Sequence, residues 1–291
     1  MEIIKIKDIN KNQISKIYNY FYKLPNHGFL DFSKNKKNFE KEFIDILNNK
    51  KFRFLIEIHN EEIQNYILIK NENSINRSVV MTKDVGKLKN NLTIIKEFSG
   101  SNNLEIGIRN HTRKEMNKIS FLTYLRTYNF MKLEIGNLFN SNDEDSILKL
   151  KNYKQYYKDL LSIQNDCFAD QYGYEANDLL EFKKELQNLE KRGINSYFEI
   201  TKSNDEWSGY AWTQLNEENN EGRLSMCGIK KKFRNRGLAK PLIISSINNL
   251  IINNCEVIYL EVDNQNEPAK KIYSDLGFKK YSKLDWYVIT N

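Results

Sequence analysis

The chain has 291 residues, a formal net charge of +7 at pH 7, 40% hydrophobic residues and 29% charged residues. This composition supports one large packed domain or two smaller ones, and no apolar run reaches the roughly 20 residues that span a bilayer. The first residues lack a signal-peptide pattern, and three cysteines without paired spacing favour reduced thiols in a cytoplasmic protein without a metal cluster.

Three predicted elements of the first half recur in the same order in the second half. They are a strand of alternating apolar and lysine residues before a tyrosine-rich helix, a pair of strands around a polar turn, and a later strand before another helix. The pairs are 2–8 with 146–152, 54–69 with 196–212, and 104–110 with 260–266. We therefore predict two similar domains, 1–140 and 141–291, joined by the polar residues 140–146.

The second half has the pattern of a mixed sheet with helices on its faces. We therefore predict the α/β class, with an α+β mixed sheet. The predicted strands are 146–151, 196–202, 207–215, 222–229, 256–262, 278–282 and 285–290, and the predicted helices are 153–168, 175–191, 237–253 and 267–276.

A basic connection, residues 230–236, leads from a predicted strand into a predicted helix. The first amides of a helix are unpaired and carry a partial positive charge of about half a unit. Gly237 would let an anion approach that backbone without a Cβ in the way, and Arg234, Arg236 and Lys240 add positive charge. The stretch therefore predicts a phosphate or pyrophosphate site, with a solvated basic turn as the alternative.

A second motif follows the next predicted strand. It has Asn266, Ala269, Tyr273, Gly277 and Phe278 in the pattern N-x-x-A-x-x-x-Y-x-x-x-G-F. Ala269 and Tyr273 are four residues apart and share one face of a short helix, which Gly277 ends.

Together with Arg234-x-x-Gly237-x-Ala239, the second motif resembles the acyl-CoA-binding core of the GNAT superfamily of N-acyltransferases over residues 146–291. The resemblance implies a GNAT fold, acetyl-CoA as co-substrate and no metal. It also implies direct transfer of the acetyl group to a primary amine within a ternary complex.

The resemblance further implies which residues hold acetyl-CoA. The strand before the first motif splays from its neighbour and pairs with the pantetheine amides, while the amides at the helix entry cradle the diphosphate. The expected cofactor-binding residues are Cys227, Gly228, Ile229, Arg234, Asn235, Arg236, Gly237, Leu238, Ala239, Lys240 and Asn266.

Tyr273 is the expected general acid, placed near the sulfur of the same ligand. The departing thiolate needs a proton donor, and a phenol with a pKa of about 10 in water remains protonated at neutral pH. The alternative for Tyr273 is ordinary packing on the sheet.

The general base stays open, because the strand that precedes the first motif has no carboxylate. Glu261 on the next strand is the first candidate for the general base, and Glu199, Asp166 and Asp170 are further candidates. Cys227 is expected to be a small strand residue, since direct transfer needs no acylated cysteine.

The first half lacks both motifs, so we expect a degenerate GNAT-like domain at 1–140 and the catalytic domain at 141–291, as in tandem GNAT proteins such as mycothiol synthases. Residues 83–95 occupy the place of the first motif without its spacing. The aromatic-rich segment 18–32 is either a lid or substrate contact, or part of a core.

The leading prediction is an acetyl-CoA-dependent N-acetyltransferase whose amine substrate is a small molecule rather than a protein. A non-catalytic acyl-CoA-binding or interaction module is the alternative, favoured by the missing strand carboxylate. Nucleic acid would be supported only by the net charge of +7, so neither nucleic acid nor a membrane is expected as a partner.

Overall fold

The computed structural model describes residues 2–5, 11–22, 32–33, 35–60, 62–109, 113–116, 118–140 and 146–290. The strands within these ranges are β1 (Glu2–Lys5), β2 (Phe52–His59), β3 (Glu62–Glu72), β4 (Arg77–Thr82), β5 (Leu104–Arg109), β6 (Leu122–Glu134), β7 (Ile147–Lys149), β8 (Ile194–Ser203), β9 (Glu206–Asn216), β10 (Glu221–Ile229), β11 (Val257–Asp263) and β12 (Lys279–Ile289). The α-helices are α1 (Lys11–Tyr22), α2 (Lys36–Asn48), α3 (Leu92–Phe98), α4 (Arg113–Met116), α5 (Tyr157–Phe168), α6 (Leu179–Lys191), α7 (Ala239–Ile252) and α8 (Glu267–Asp275).

Two compact units make up the chain. Unit 1 is Met1–Tyr128 with Ser282–Asn291, and unit 2 is Asn129–Tyr281. The structure therefore divides the chain differently from the predicted boundary between residues 140 and 141. The reason is that the end of β6 belongs to unit 2 and most of β12 belongs to unit 1, so each unit includes a strand segment that a single cut at 140 would remove.

Unit 1 has a mixed sheet with the order β1, β2, β3, β4, β5, β12 and β6. β4 and β5 are parallel, whereas β5 and β12 are antiparallel. Aromatic side chains of α1 and α2, including Phe21, Phe39 and Phe43, pack on Tyr66 and Leu68 of β3. Residues 23–31 of the proposed lid lie outside the described residues, and Phe21 and Phe32 of that segment are in ring contact at 5.2 Å.

Unit 2 repeats this architecture with the order β6, β11, β10, β9, β8 and β7. β10 and β11 are parallel, and the pairs β10–β9, β9–β8 and β8–β7 are antiparallel. α7 buries Leu242, Ile243 and Ile247 in the same core cluster as Leu260 of β11. A separate core cluster joins α5 and α6 to β8 and β9, and includes Leu160, Phe182, Phe198 and Trp212.

The predicted α/β class with a mixed sheet is confirmed. The two predicted closing strands, 278–282 and 285–290, are one continuous strand, Lys279–Ile289. The predicted break at residues 283–284 is absent, because Leu284 continues the ladder opposite Arg109. Across the described ranges, no helix combines the length and apolar character that crossing a membrane requires.

The two ends of β12 differ in the burial of their side chains. Tyr287 is 1% exposed and lies opposite Ile106, whereas Tyr281 is 51% exposed. Tyr287→Ala should lower the free energy of unfolding by about 3–5 kcal/mol, since it removes a buried aromatic side chain. Tyr281→Ala, the matched control on the same strand, should change it by less than about 1 kcal/mol. Urea unfolding followed by circular dichroism measures both, and equal small effects would contradict the burial of Tyr287 in the core.

Candidate functional site

A gap opens between β10 and β11 of unit 2. Their parallel pairing runs from Glu221 opposite Val257 to Leu224 opposite Leu260. β10 continues to Ile229 while remaining paired with β9 on its other side. The register between β10 and β9 shifts between Leu224 and Met226, so Ser225 forms a bulge where the gap begins. In the described part of these strands, the edge formed by residues 226–229 has no β11 partner and can pair with an extended ligand.

The connection from β10 to α7 has the backbone conformation of an anion cradle. Asn235 and Gly237 are left-handed, with φ of 63° and 76°, and Leu238 returns to the right-handed helical region. Such alternation turns successive amides toward one point, a pattern that binds anions. α7 begins at Ala239 without a side-chain cap on its first amides, and a Cβ added at Gly237 would meet no atom within 4 Å.

Arg234 is held by partners within the protein. Its guanidinium forms a bidentate ion pair with Asp170, with N–O distances of 2.6 and 2.8 Å. This hydrogen-bonded contact holds the pKa of Arg234 above its ordinary value and the pKa of Asp170 below its own. Arg236 donates to the Lys232 carbonyl at 3.1 Å, whereas Lys240 is exposed and forms no ion pair with any described residue.

Tyr273 projects from α8 into the core cluster that also contains Cys227. Its ring packs edge-on against Phe278 with centroids 5.7 Å apart. Burial raises the pKa of Tyr273 well above its ordinary value, and Cys227 adds to that rise. Among the described residues its hydroxyl has no hydrogen-bond partner. Tyr273 is therefore protonated at neutral pH and able to donate to a ligand.

Asn266 has a local structural role at the start of α8. Its Oδ1 accepts a hydrogen bond from the Ala269 amide at 3.2 Å, which caps the helix. Glu267 and Pro268 occupy the first turn, as expected for a helix start. Capping uses the carbonyl end of the Asn266 side chain and leaves its amide NH2 as the group that a ligand could meet.

The structure gives each predicted candidate for the general base a partner. Asp170 binds the guanidinium of Arg234. Asp166 Oδ2 lies 3.2 Å from Lys230 Nζ, and Glu261 Oε2 lies 3.8 Å from Arg223 Nη2. Glu199 is 1% exposed, and one of its carboxylate oxygens accepts a hydrogen bond of 3.1 Å from Ser246.

Sequence reasoning missed two features of this site. It did not identify the bulge at Ser225, which has no local signal because the bulge exists only relative to β9. It named Asp170 as a base and not as the partner of Arg234, since 64 residues separate the two in the chain. The sequence showed that Asp170 lies just after the predicted helix 153–168, but it did not show which cation Asp170 would bind.

The thiols of unit 2 provide a test of the site chemistry. Burial raises the pKa of Cys227 to about 12, of Cys167 to about 12 and of Cys255 to about 11. A thiol reagent should therefore react slowly near pH 7, where the thiolate fraction is below about one part in a thousand. The rate should rise about tenfold per pH unit until the pH approaches these pKa values. Rapid labelling of Cys227 at neutral pH would contradict this and restore it as a candidate nucleophile.

Comparison with known proteins agrees with this geometry. Residues 157–278 match the Acetyltransferase (GNAT) family. The chain is 29% identical over 73 residues to a mycothiol acetyltransferase of Corynebacterium aurimucosum, covering 24% of each protein. It is 25% identical over 138 residues to an uncharacterized N-acetyltransferase in the pepI 3′ region of Lactobacillus delbrueckii subsp. lactis, covering 43% of this chain and 80% of that one.

A tandem GNAT protein from the clavulanic acid biosynthesis pathway, solved without AcCoA, has the same fold. Its TM-score is 0.64 at 7% identity, with 99% of this chain and 97% of that chain covered. The resemblance to the GNAT family and the tandem GNAT fold are thus confirmed. The chain spans only about a quarter of the length of the mycothiol acetyltransferase.

Proposed function

We propose that this protein, whose residues 157–278 match the GNAT acetyltransferase family, transfers an acetyl group from acetyl-CoA to a primary amine. The observation that carries the proposal is the continuity of two features in unit 2. The open edge of β10 leads through one short 3₁₀ turn into the left-handed turn at Asn235 and Gly237. A linear ligand with amides in its middle and a diphosphate at one end matches that sequence of features.

Different residues of unit 2 would contact different parts of acetyl-CoA. The backbone of Cys227, Gly228 and Ile229 would pair with the pantetheine amides. The amides from Asn235 to Lys240 would hold the diphosphate at the start of α7, where the helix dipole favours negative charge. Arg236 and Lys240 are both exposed beside that turn and would add positive charge. Asn266 would contact the pantetheine arm.

Tyr273 would be the general acid of this reaction. The amine nitrogen attacks the thioester carbonyl, a C–N bond forms and the C–S bond breaks, and the phenol gives its proton to the departing thiolate. Burial raises the pKa of Tyr273, so its hydroxyl stays protonated through the physiological range, and the same shift makes the phenol a weaker acid.

Glu261 remains our proposed base for the attacking amine. It lies on β11, the strand that borders the gap opposite β10, and its side chain is 28% exposed. Its distance of 3.8 Å to Arg223 is longer than the ion-pair contacts of Asp166 and Asp170. A partly exposed carboxylate beside the gap can be reached by an attacking amine.

Unit 1 is proposed to support unit 2 without binding acetyl-CoA itself. β4 pairs with β3 in unbroken register from Arg77 to Thr82, so it has no counterpart of the bulge at Ser225. A 3₁₀ helix, Gly86–Asn91, follows β4, and Gly86 is not among the glycines of positive φ. Unit 1 thus lacks, in its described residues, the left-handed turn that forms the cradle of unit 2.

A small-molecule amine is the proposed acceptor; similar proteins are named mycothiol acetyltransferase and N-alpha-acetyltransferase. The second candidate function is an acyl-CoA-binding module without turnover. The engagement of Asp166, Asp170 and Glu261 in ion pairs favours it. Acetyl-CoA binding without release of free thiol across a panel of amines would select the second candidate.

Acetyl-CoA binding tests the proposal directly. Isothermal titration should detect acetyl-CoA at concentrations up to about 1 mM. Gly237→Ala should weaken binding about tenfold, because a Cβ disfavours the left-handed conformation on which the cradle depends. Gly193→Ala is the matched control, since Gly193 has φ of 72° and similarly open surroundings but lies in the turn between α6 and β8. Absence of binding to the wild-type protein would refute the proposed function.

Tyr273→Phe separates catalysis from packing. The ring contact with Phe278 is kept while the proton donor is lost, so kcat should fall by roughly 10²-fold. The dissociation constant for acetyl-CoA should stay within about twofold, because the hydroxyl is not required for binding. A thiol-release assay and titration calorimetry measure the two quantities. A large loss of affinity with unchanged kcat would reassign Tyr273 to packing.

A further inference from the structure

The guanidinium of Arg234 is committed to partners within the protein. Its Nε donates to the Ile229 carbonyl at 3.0 Å, and Nη2 donates to the Cys167 carbonyl at 2.9 Å. Nη1 and Nη2 also bind the two oxygens of Asp170. One side chain therefore joins the last residue of β10 to the C-terminal end of α5.

These contacts fix the place where the cradle begins. A 3₁₀ turn, Lys231–Phe233, separates the end of β10 from Arg234, and the left-handed Asn235 follows immediately. The hydrogen bond from Arg234 Nε back to the Ile229 carbonyl closes this turn. Movement of the guanidinium would therefore shift the amides of residues 235–240 relative to the open edge of β10.

The C-terminal end of α5 packs closely against the end of β10, next to this turn. Gly228 lies so close to the end of α5 that an added Cβ would be 2.7 Å from Cys167 Cβ and 3.1 Å from the Phe168 ring. Lys230 adds a contact of 3.2 Å with Asp166. Both cations lie at the C-terminal end of α5, where the helix dipole favours positive charge.

We propose that Arg234 and Asp170 are positioning residues, which set the geometry of the diphosphate cradle, and that Arg234 is not itself a ligand of the diphosphate. This inference rests on the proposed acetyl-CoA site. Asp170 already neutralises the charge of Arg234, and four of the five guanidinium N–H donors are used within the protein, which leaves one Nη1–H for any other contact. Exposed Arg236 and Lys240 remain to meet the phosphates.

The Asp170→Asn variant distinguishes positioning from direct contact, because the two roles predict opposite signs. If Arg234 bound the diphosphate, removing the competing carboxylate would leave acetyl-CoA affinity unchanged or increase it. If the pair positions the cradle, affinity should fall about five- to tenfold, the effect of losing a partly exposed charged hydrogen bond. Titration calorimetry with acetyl-CoA measures the change.

Four companion variants make the result specific. Arg234→Lys keeps the charge but not the forked geometry, so it should lose as much affinity as Asp170→Asn, and the double variant should lose little more. Asp170→Glu should recover part of the loss. Glu190→Gln is the matched control, because its ion pair with Lys154 has similar exposure but lies on α6.

Amide hydrogen exchange provides a readout that needs no ligand. In Asp170→Asn the amides of residues 234–238 should exchange faster than in the wild type, while Glu190→Gln should leave them unchanged. Unchanged or tighter acetyl-CoA binding by Asp170→Asn, or full activity of Arg234→Lys, would overturn the positioning role alone. Failure of the wild-type protein to bind acetyl-CoA would overturn the proposed function and this inference together.

Discussion

The hydrogen-bonding requirement of one strand organises the site. β10 pairs with β11 only as far as Leu224, yet β9 holds it in place to Ile229. Backbone groups that lack a partner are costly when they are shielded from water, so an exposed edge of this kind is stable only if water or a ligand satisfies it. The unpaired edge of β10 therefore offers backbone hydrogen-bonding groups to an extended, amide-containing ligand.

The cradle depends on the anchors around it as much as on its own conformation. A left-handed turn at Asn235 and Gly237 directs amides outward, but a turn alone is flexible. The ion pair between Arg234 and Asp170, together with the closely packed Gly228, fastens it to α5. The most basic part of the motif thus divides into one arginine that supports the backbone and neighbouring cations that remain exposed.

The two units show how one architecture can keep or lose a binding site. Both have a parallel strand pair followed by a connection into a helix, β4 with β5 in unit 1 and β10 with β11 in unit 2. Unit 2 adds one bulged residue and a left-handed turn, whereas unit 1 continues its strand register and then forms a 3₁₀ helix. Differences of a few residues in backbone conformation therefore separate the proposed binding unit from the proposed supporting unit.

The sequence by itself determined the α/β class, the repeated order of elements and the two motifs around Gly237 and Tyr273, because these depend on local periodicity, spacing and residue type. Only the tertiary structure decided that Arg234 faces Asp170, that Ser225 is a bulge, and that β12 is a single strand of which the greater part belongs to unit 1. Each of these features depends on a partner distant in the chain. Local patterns do not record which distant residue supplies a hydrogen bond, a charge or a neighbouring strand.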